Sequence, residues 1–241
     1  MNLNKEVKSA NTDRKAGAGM SWSRKHSLAA GLFYLLTFVS IPTLSLYVQV
    51  HTPNYIAGPG PDTAVLWGAV LELIVGLAGI GTAVALFPVV KRQNESLALG
   101  FVTTRTLEAA GIFAGVACLL SIVTLRQAGV GADGLIMGQA LGAMYDKLFL
   151  VSQSLMPAMN GLLLGTLMYR SRLVPRVLPI VGLIGAVLLL AGDGATLFGL
   201  IGRVSPLAGL LAMPIALWEL SLGIWLTVKG FNPSPLTAEP A

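Results

Sequence analysis

Six stretches of this chain, near residues 27–49, 64–89, 97–124, 147–169, 177–200 and 207–228, run on with scarcely a charge among their apolar residues. An α-helix rises about 1.5 Å per residue, so each stretch is long enough to cross a hydrocarbon layer of about 30 Å. With no water in that layer, a spanning segment must satisfy its own backbone polar groups, and a single stretch does so only as a helix. The sequence therefore predicts an all-α, polytopic membrane bundle of six transmembrane helices.

Composition agrees. Hydrophobic residues make up 54% of the 241 and charged ones 11%, against roughly a quarter charged in soluble domains. The expected organisation is a basic, disordered tail over 1–23, one transmembrane domain over 24–230 and a second disordered tail over 231–241. The first tail is polar with no apolar period, and the prolines of "NPSPLTAEPA" oppose a helix in the second. Although "SRKH" precedes the first apolar run, about 23 residues exceed the 7 to 15 of a signal peptide and no A-x-A site follows. The run reads as a retained first helix.

Lys and Arg set the orientation. Lys5, Lys8, Arg14, Lys15, Arg24, Lys25, Lys91, Arg92, Arg170, Arg172, Arg176 and Lys229 fall on one side, and Arg126, Lys147 and Arg203 on the other. Both termini are expected in the cytoplasm, in a multi-pass protein of the inner (plasma) membrane with the lipid bilayer as its first partner. The net charge of +5 is explained by residues flanking spans rather than by a continuous patch, so nucleic acid is not an expected partner.

The longest loops, "HTPNYIAGPGPDT" and "RQAGVGADGLIMGQALGAMYD", are rich in Gly and Pro and are expected to turn without burying a core. Within the second, "GVGADG" has the form G-x-G-x-x-G, but that pattern signals a dinucleotide only between a strand and a helix. Walker loop, H-E-x-x-H, G-x-S-x-G and paired cysteines are all missing from the sequence. Cys118 is alone within the third span, and His26 and His51 fall on opposite faces of the membrane. No catalytic residue, metal site or cofactor is assigned, and enzymatic activity is the less favoured class.

Chemistry, if present, sits with the polar residues inside the spans, which are costly there and turn toward a bundle interior or a wet cavity. Glu72, Arg105, Glu108, Asp193 and Glu219 are the charged ones. At 100° per residue Glu72 shares a face with Gly68, Gly76 and Gly79, and Arg105 and Glu108 share one with Gly111 and Gly115. Asp193 falls with Gly182 and Ala186, and Glu219 lies one turn from Gly223. Small residues let helices approach closely, so the charges lie on contact faces. Counting residues puts Glu72, Arg105, Glu108 and Glu219 at about 12 to 18 Å below the outer boundary. A midplane binding cluster of these four is expected, with Arg105 and Glu108 as i, i+3 neighbours and Glu219 as the tertiary partner of Arg105. Since one arginine cannot balance three carboxylates, a proton or cation must complete the charge. Asp146, Gln153 and Asn160, spaced by seven, together with Asp193, mark an entry path from outside.

"ELIVGL" at Glu72 and "ELSLGI" at Glu219 echo one another, as the repeats of transporters do. The segments "TRTLEAAG", "NGLLLGTLMYRSRLVPRVLPIVGLIGAVLLLAGD" and "PIALWELSLGIWLTVKGF" resemble a bacterial membrane family known as domain of unknown function 4386, over roughly residues 24 to 231. The resemblance implies an integral membrane protein of several helices and no established reaction. It matches Arg105, Asp146, Asp193, Glu219 and Lys229, while Glu72 and Glu108 are less typical.

Two functional classes follow. One is a small transporter or solute-binding membrane protein, linked to protons, a cation or a small solute. The other is a non-transporting scaffold or interaction protein in which the same charges only lock helix packing and the glycine faces pair copies of the chain as a homo-oligomer. A continuous wet path to the midplane cluster would separate them.

Overall fold

The computed structural model describes residues 20–52, 54–58 and 60–238. Six helical segments among them are long and apolar enough to cross a membrane: α1 (Trp22–Leu46), α2 (Thr63–Val90), α3 (Glu95–Gln127), α4 (Gly131–Ser171), α5 (Val177–Leu197) and α6 (Pro206–Val228). No strand occurs among the described residues. The chain is an all-helical, multi-pass membrane protein, since helices of this length and apolarity need a hydrocarbon environment. Most of the tail expected over 1–23 lies outside the described residues. Helix α1 starts at Trp22, where the Ser21 hydroxyl accepts the Arg24 N–H at 3.3 Å and caps the first turn,.

Each helix packs on its neighbours in sequence, and α6 returns to α1, so the six close into a ring. Glycine makes the tightest approaches. A Cβ on Gly31 of α1 would collide with the backbone of Gly223 and Thr227 on α6, and one on Gly185 of α5 with the backbone of Ile215 on α6. Gly76 and Gly182 make room instead for the rings of Phe113 and Trp218. With little hydrophobic drive between helices in lipid, such close packing is a main source of cohesion.

Two helices depart from regular form at sites that matter below. In α1 an α-helix (Trp22–Thr37) gives way to a 3₁₀ turn (Phe38–Ser40), and a short helix resumes at Thr43–Leu46, after Pro42. In α4 a π turn (Leu150–Leu155) separates Leu135–Phe149 from Met156–Ser171. Pro157 has no N–H to give the Gln153 carbonyl four residues back, so the α-helical ladder is already broken where the turn widens.

The loop expected over residues 126–146 is corrected by the structure. "GVGADG" does form a 3₁₀ turn (Gly131–Gly134), but helix begins at Leu135 and runs on into the span. The expectation that these segments bury no core also fails. Tyr47, Val50, Tyr55 and Ile56 pack with Leu119, Ile122 and Tyr145 in a second apolar cluster at this end. Ala, Leu, Met and Gln dominate Leu135–Phe149 and favour helix, and Gly138 costs little because Ile56 packs against it,.

Both described ends of the chain lie at the opposite end of the ring. The Arg24 guanidinium donates to the carbonyls of Leu226 at 2.9 Å and Thr227 at 2.5 Å. Residues 231–238, expected as a disordered tail, fold back there. The Asn232 N–H donates to Leu173 O at 2.7 Å, and Arg92 donates to Leu236 O and Ala238 O at 3.1 and 2.6 Å. Residues 239–241 lie outside the described residues.

Candidate functional site

Arg105 enters the ring from the middle of α3 and is 1% exposed. Its Nη1 donates to Glu108 Oε1 and Oε2 at 3.2 and 3.0 Å, one turn further along the same helix. Its Nη2 donates to Glu219 Oε1 at 2.7 Å on α6. The tertiary partner expected for Arg105 is thus in contact with it, through an ion pair whose carboxylate is 15% exposed. Helices α3 and α6 are not neighbours in the ring, so this pair is a strut across its centre. The Tyr34 ring of α1 and the Phe101 ring of α3 lie 5.2 and 5.8 Å from the guanidinium carbon, where their π faces attract the cation,.

Asn160 belongs to this cluster rather than to an entry path. Its Nδ2 donates to Glu108 Oε2 at 2.6 Å, and its Oδ1 accepts the Thr104 hydroxyl at 2.5 Å. Glu108 is therefore fully engaged, with both oxygens bonded inside the protein.

Glu72 stands apart. It makes no ion pair among the described residues. Instead its Oε1 accepts the Tyr145 hydroxyl at 2.8 Å and the Gln153 Nε2 at 3.3 Å, and its Oε2 is buried without a described partner. The expected cluster of four is accordingly a triad of Arg105, Glu108 and Glu219 with Glu72 in a neighbouring, neutral hydrogen-bonded setting.

The stripe Asp146, Gln153, Asn160 is likewise divided among three surroundings. A spacing of seven keeps one face only in regular helix, and the π turn lies within this segment. Asp146 sits at the end away from the termini. Its Oδ1 accepts from Arg203 Nη2 at 2.8 Å and lies 3.3 Å from His51 Nε2. The His51 Nδ1 faces Tyr47 O at 2.8 Å. Both ring nitrogens thus face oxygen acceptors, an arrangement met in full by the protonated imidazole. Hydrogen bonding to Asp146 holds the His51 pKa above its ordinary value, against the opposing effect of burial. At the same end Asp62 accepts from Arg126 through both oxygens, from Tyr55 Oη at 2.7 Å and from Gln127 Nε2 at 2.9 Å. The Arg126 hydrogen bonds are the largest influence holding the Asp62 carboxyl down at about 2.

Two adjoining cavities meet the triad. The smaller, of about 190 Å³, is lined by Arg105, Glu108, Glu219 and Gln153 and by Ser40 and Ile41 where α1 is irregular. The larger, of about 550 Å³, lies among α4, α5 and α6. Arg203 and Ser205 line it toward the end away from the termini, Ser154 and Asp193 form part of its wall, and Gln153 and Glu219 border both cavities. Asp193 Oδ1 accepts the Ser154 hydroxyl at 2.5 Å, and its Oδ2 is buried without a described partner.

Sequence reasoning missed Tyr34, Thr104, Tyr145 and Ser154, because a single hydroxyl in an apolar helix carries no sign of which way it faces. Arg203 and His51 did carry a signal, since the charge count places both on the same side as Asp146. No group of three or more His, Cys, Asp or Glu suited to a metal occurs among the described residues.

Comparison with the curated proteins and with the solved structures returns no match. A family model does match, over residues 29–230, and takes in most of α1, all of α2 to α6 and every residue of the triad. With its all-helical ring and buried arginine in place, the chain belongs to the family described as "Domain of unknown function (DUF4386)".

Proposed function

We propose that this protein is a small-solute binding or transport protein of a bacterial plasma membrane. Both termini are cytoplasmic, and a crevice on the opposite side leads to the Arg105–Glu108–Glu219 triad. The observation that carries the reading is the pair of adjoining cavities that joins the region of Arg203 to Glu219. A framework that served only packing has no need of some 550 Å³ of space beside its charges, since interiors are otherwise close-packed. Charge points the same way. With both carboxylates ionised the triad carries one negative charge more than Arg105 supplies, and a proton or solute cation completes it. Glu219 is the member suited to exchange, because it borders both cavities while Glu108 is bonded through both oxygens within the protein.

The internal pairing of Glu108 and Asn160 favours the second reading, a scaffold whose charges fix helix register. Thiol accessibility separates the two. In a Cys118→Ser background, Ala216→Cys borders both cavities, and Leu217→Cys is exposed on the outside of the bundle. A charged, membrane-impermeant thiosulfonate added to intact cells is expected to label Ala216→Cys and leave Leu217→Cys, shielded by lipid, unmodified. If Ala216→Cys resists labelling from outside, the crevice reading fails and the scaffold stands.

A further inference from the structure

We propose that the 550 Å³ cavity receives a small organic monocation with an apolar body, its ammonium group held by Asp193 and Ser154. This rests on the crevice reading above and adds the class of solute. Asp193 makes no ion pair among the described residues, and its one hydrogen bond comes from Ser154. Its second oxygen is buried and unpartnered beside open space. A buried carboxylate oxygen without a donor is costly, and an ammonium supplies charge and hydrogen bonds together.

Other groups on the wall agree. The one arginine lining this cavity, Arg203, donates to Asp146 and lies with its guanidinium carbon 4.8 Å from the Phe149 ring centre, so it is not a free anion receptor. Gln153 donates its Nε2 to Glu72, which leaves its oxygen as a further acceptor. Most of the remaining wall is apolar, including Leu44, Phe149, Leu189 and Ile215, and suits a hydrocarbon body. A bare divalent ion fits poorly, because it needs about six oxygen ligands, and of the two carboxylates on this wall Glu219 is already paired with Arg105. A solute anion would meet Asp193 and Glu219 together.

The test uses n-hexylammonium, n-hexanol and n-hexanoate, which share a chain and differ in head group. Each is added to intact cells carrying Cys118→Ser, Ala216→Cys, and the labelling rate is read as a function of concentration. Hexylammonium alone is expected to protect, and Asp193→Asn, nearly isosteric, is expected to raise the half-protecting concentration by about tenfold or more. Ser154→Ala should weaken protection in the same direction. If labelling proceeds but hexanol or hexanoate protects equally, or Asp193→Asn leaves protection unchanged, the cation assignment is overturned while the crevice reading survives. Labelling that no probe slows overturns it too. Absence of labelling altogether counts against the crevice itself.

Discussion

An arginine keeps its proton in proteins, so a guanidinium in the middle of a membrane bundle must be met by oxygen. Arg105 meets it twice, through Glu108 and Glu219, whereas Glu72, a few residues away in depth by residue counting, meets only neutral donors. That contrast has a spectroscopic consequence. With no cation beside it, Glu72 is expected to contribute the infrared band of an un-ionised carboxyl at neutral pH. The band should vanish in Glu72→Gln and shift in Tyr145→Phe, which removes its hydroxyl donor. If the band is unaffected by either change, the separation between Glu72 and the triad is wrong. Outside the membrane layer, His51 gives a pH dependence whose sign is fixed by its partner. Asp146 raises the folded pKa above 6.5, so the stabilisation is fully present below that value and is lost as pH rises through the folded one. The difference in melting temperature between wild type and His51→Gln should therefore be largest near pH 6 and shrink toward pH 9, a range set by the ordinary histidine value. A difference that grows with pH would contradict the contact.

Helices were the most legible level of this molecule. Apolar runs of about 20 residues located all six spans because hydrocarbon thickness leaves few alternatives, and glycine faces marked the inward side because backbone approach tolerates nothing larger. The beginning of α4 was not legible, since Gly131, Gly134, Gly138 and Gly142 read as turn formers, and the packing of Ile56 beside Gly134 and Gly138 leaves no mark in the sequence. Nor was the division of the Asp146, Gln153, Asn160 stripe, which follows from a π turn that spacing alone does not reveal. The candidate site was legible in its charged members and illegible in its hydroxyls. Contact-face glycines also yield a comparison within one helix. A Cβ at Gly185 would strike the backbone of Ile215, whereas one at Gly194 meets nothing within 4 Å. Gly185→Ala should lower thermal stability by about 1 to 3 kcal/mol through overpacking, and Gly194→Ala should be neutral or add up to about 1 kcal/mol through helix propensity. Equal effects in a detergent melting series would mean that α5 and α6 are not in the close register described.

Across the whole molecule, the ring is closed by neighbour packing and, among the described residues, crossed by one ion pair, Arg105 to Glu219, between helices that are not neighbours. On one side of that strut lie the cavities, and at the far end of the ring lie Arg24, Arg92 and both described ends of the chain. The pair is therefore expected to couple two sides of the bundle, and the asymmetry between its members makes that coupling measurable. Loss of Arg105 leaves carboxylates that can take up a proton and become neutral, while loss of Glu219 leaves an arginine with no such escape. A double-mutant cycle on purified protein, read by thermal or chemical unfolding, is the direct test. Glu219→Leu is expected to cost about 3 to 5 kcal/mol, the range for breaking a buried pair. Arg105→Leu should cost less, and the double mutant should recover much of the loss from Glu219→Leu. A harmless Glu219→Leu, or a double mutant equal to the sum of the two singles, would contradict that coupling.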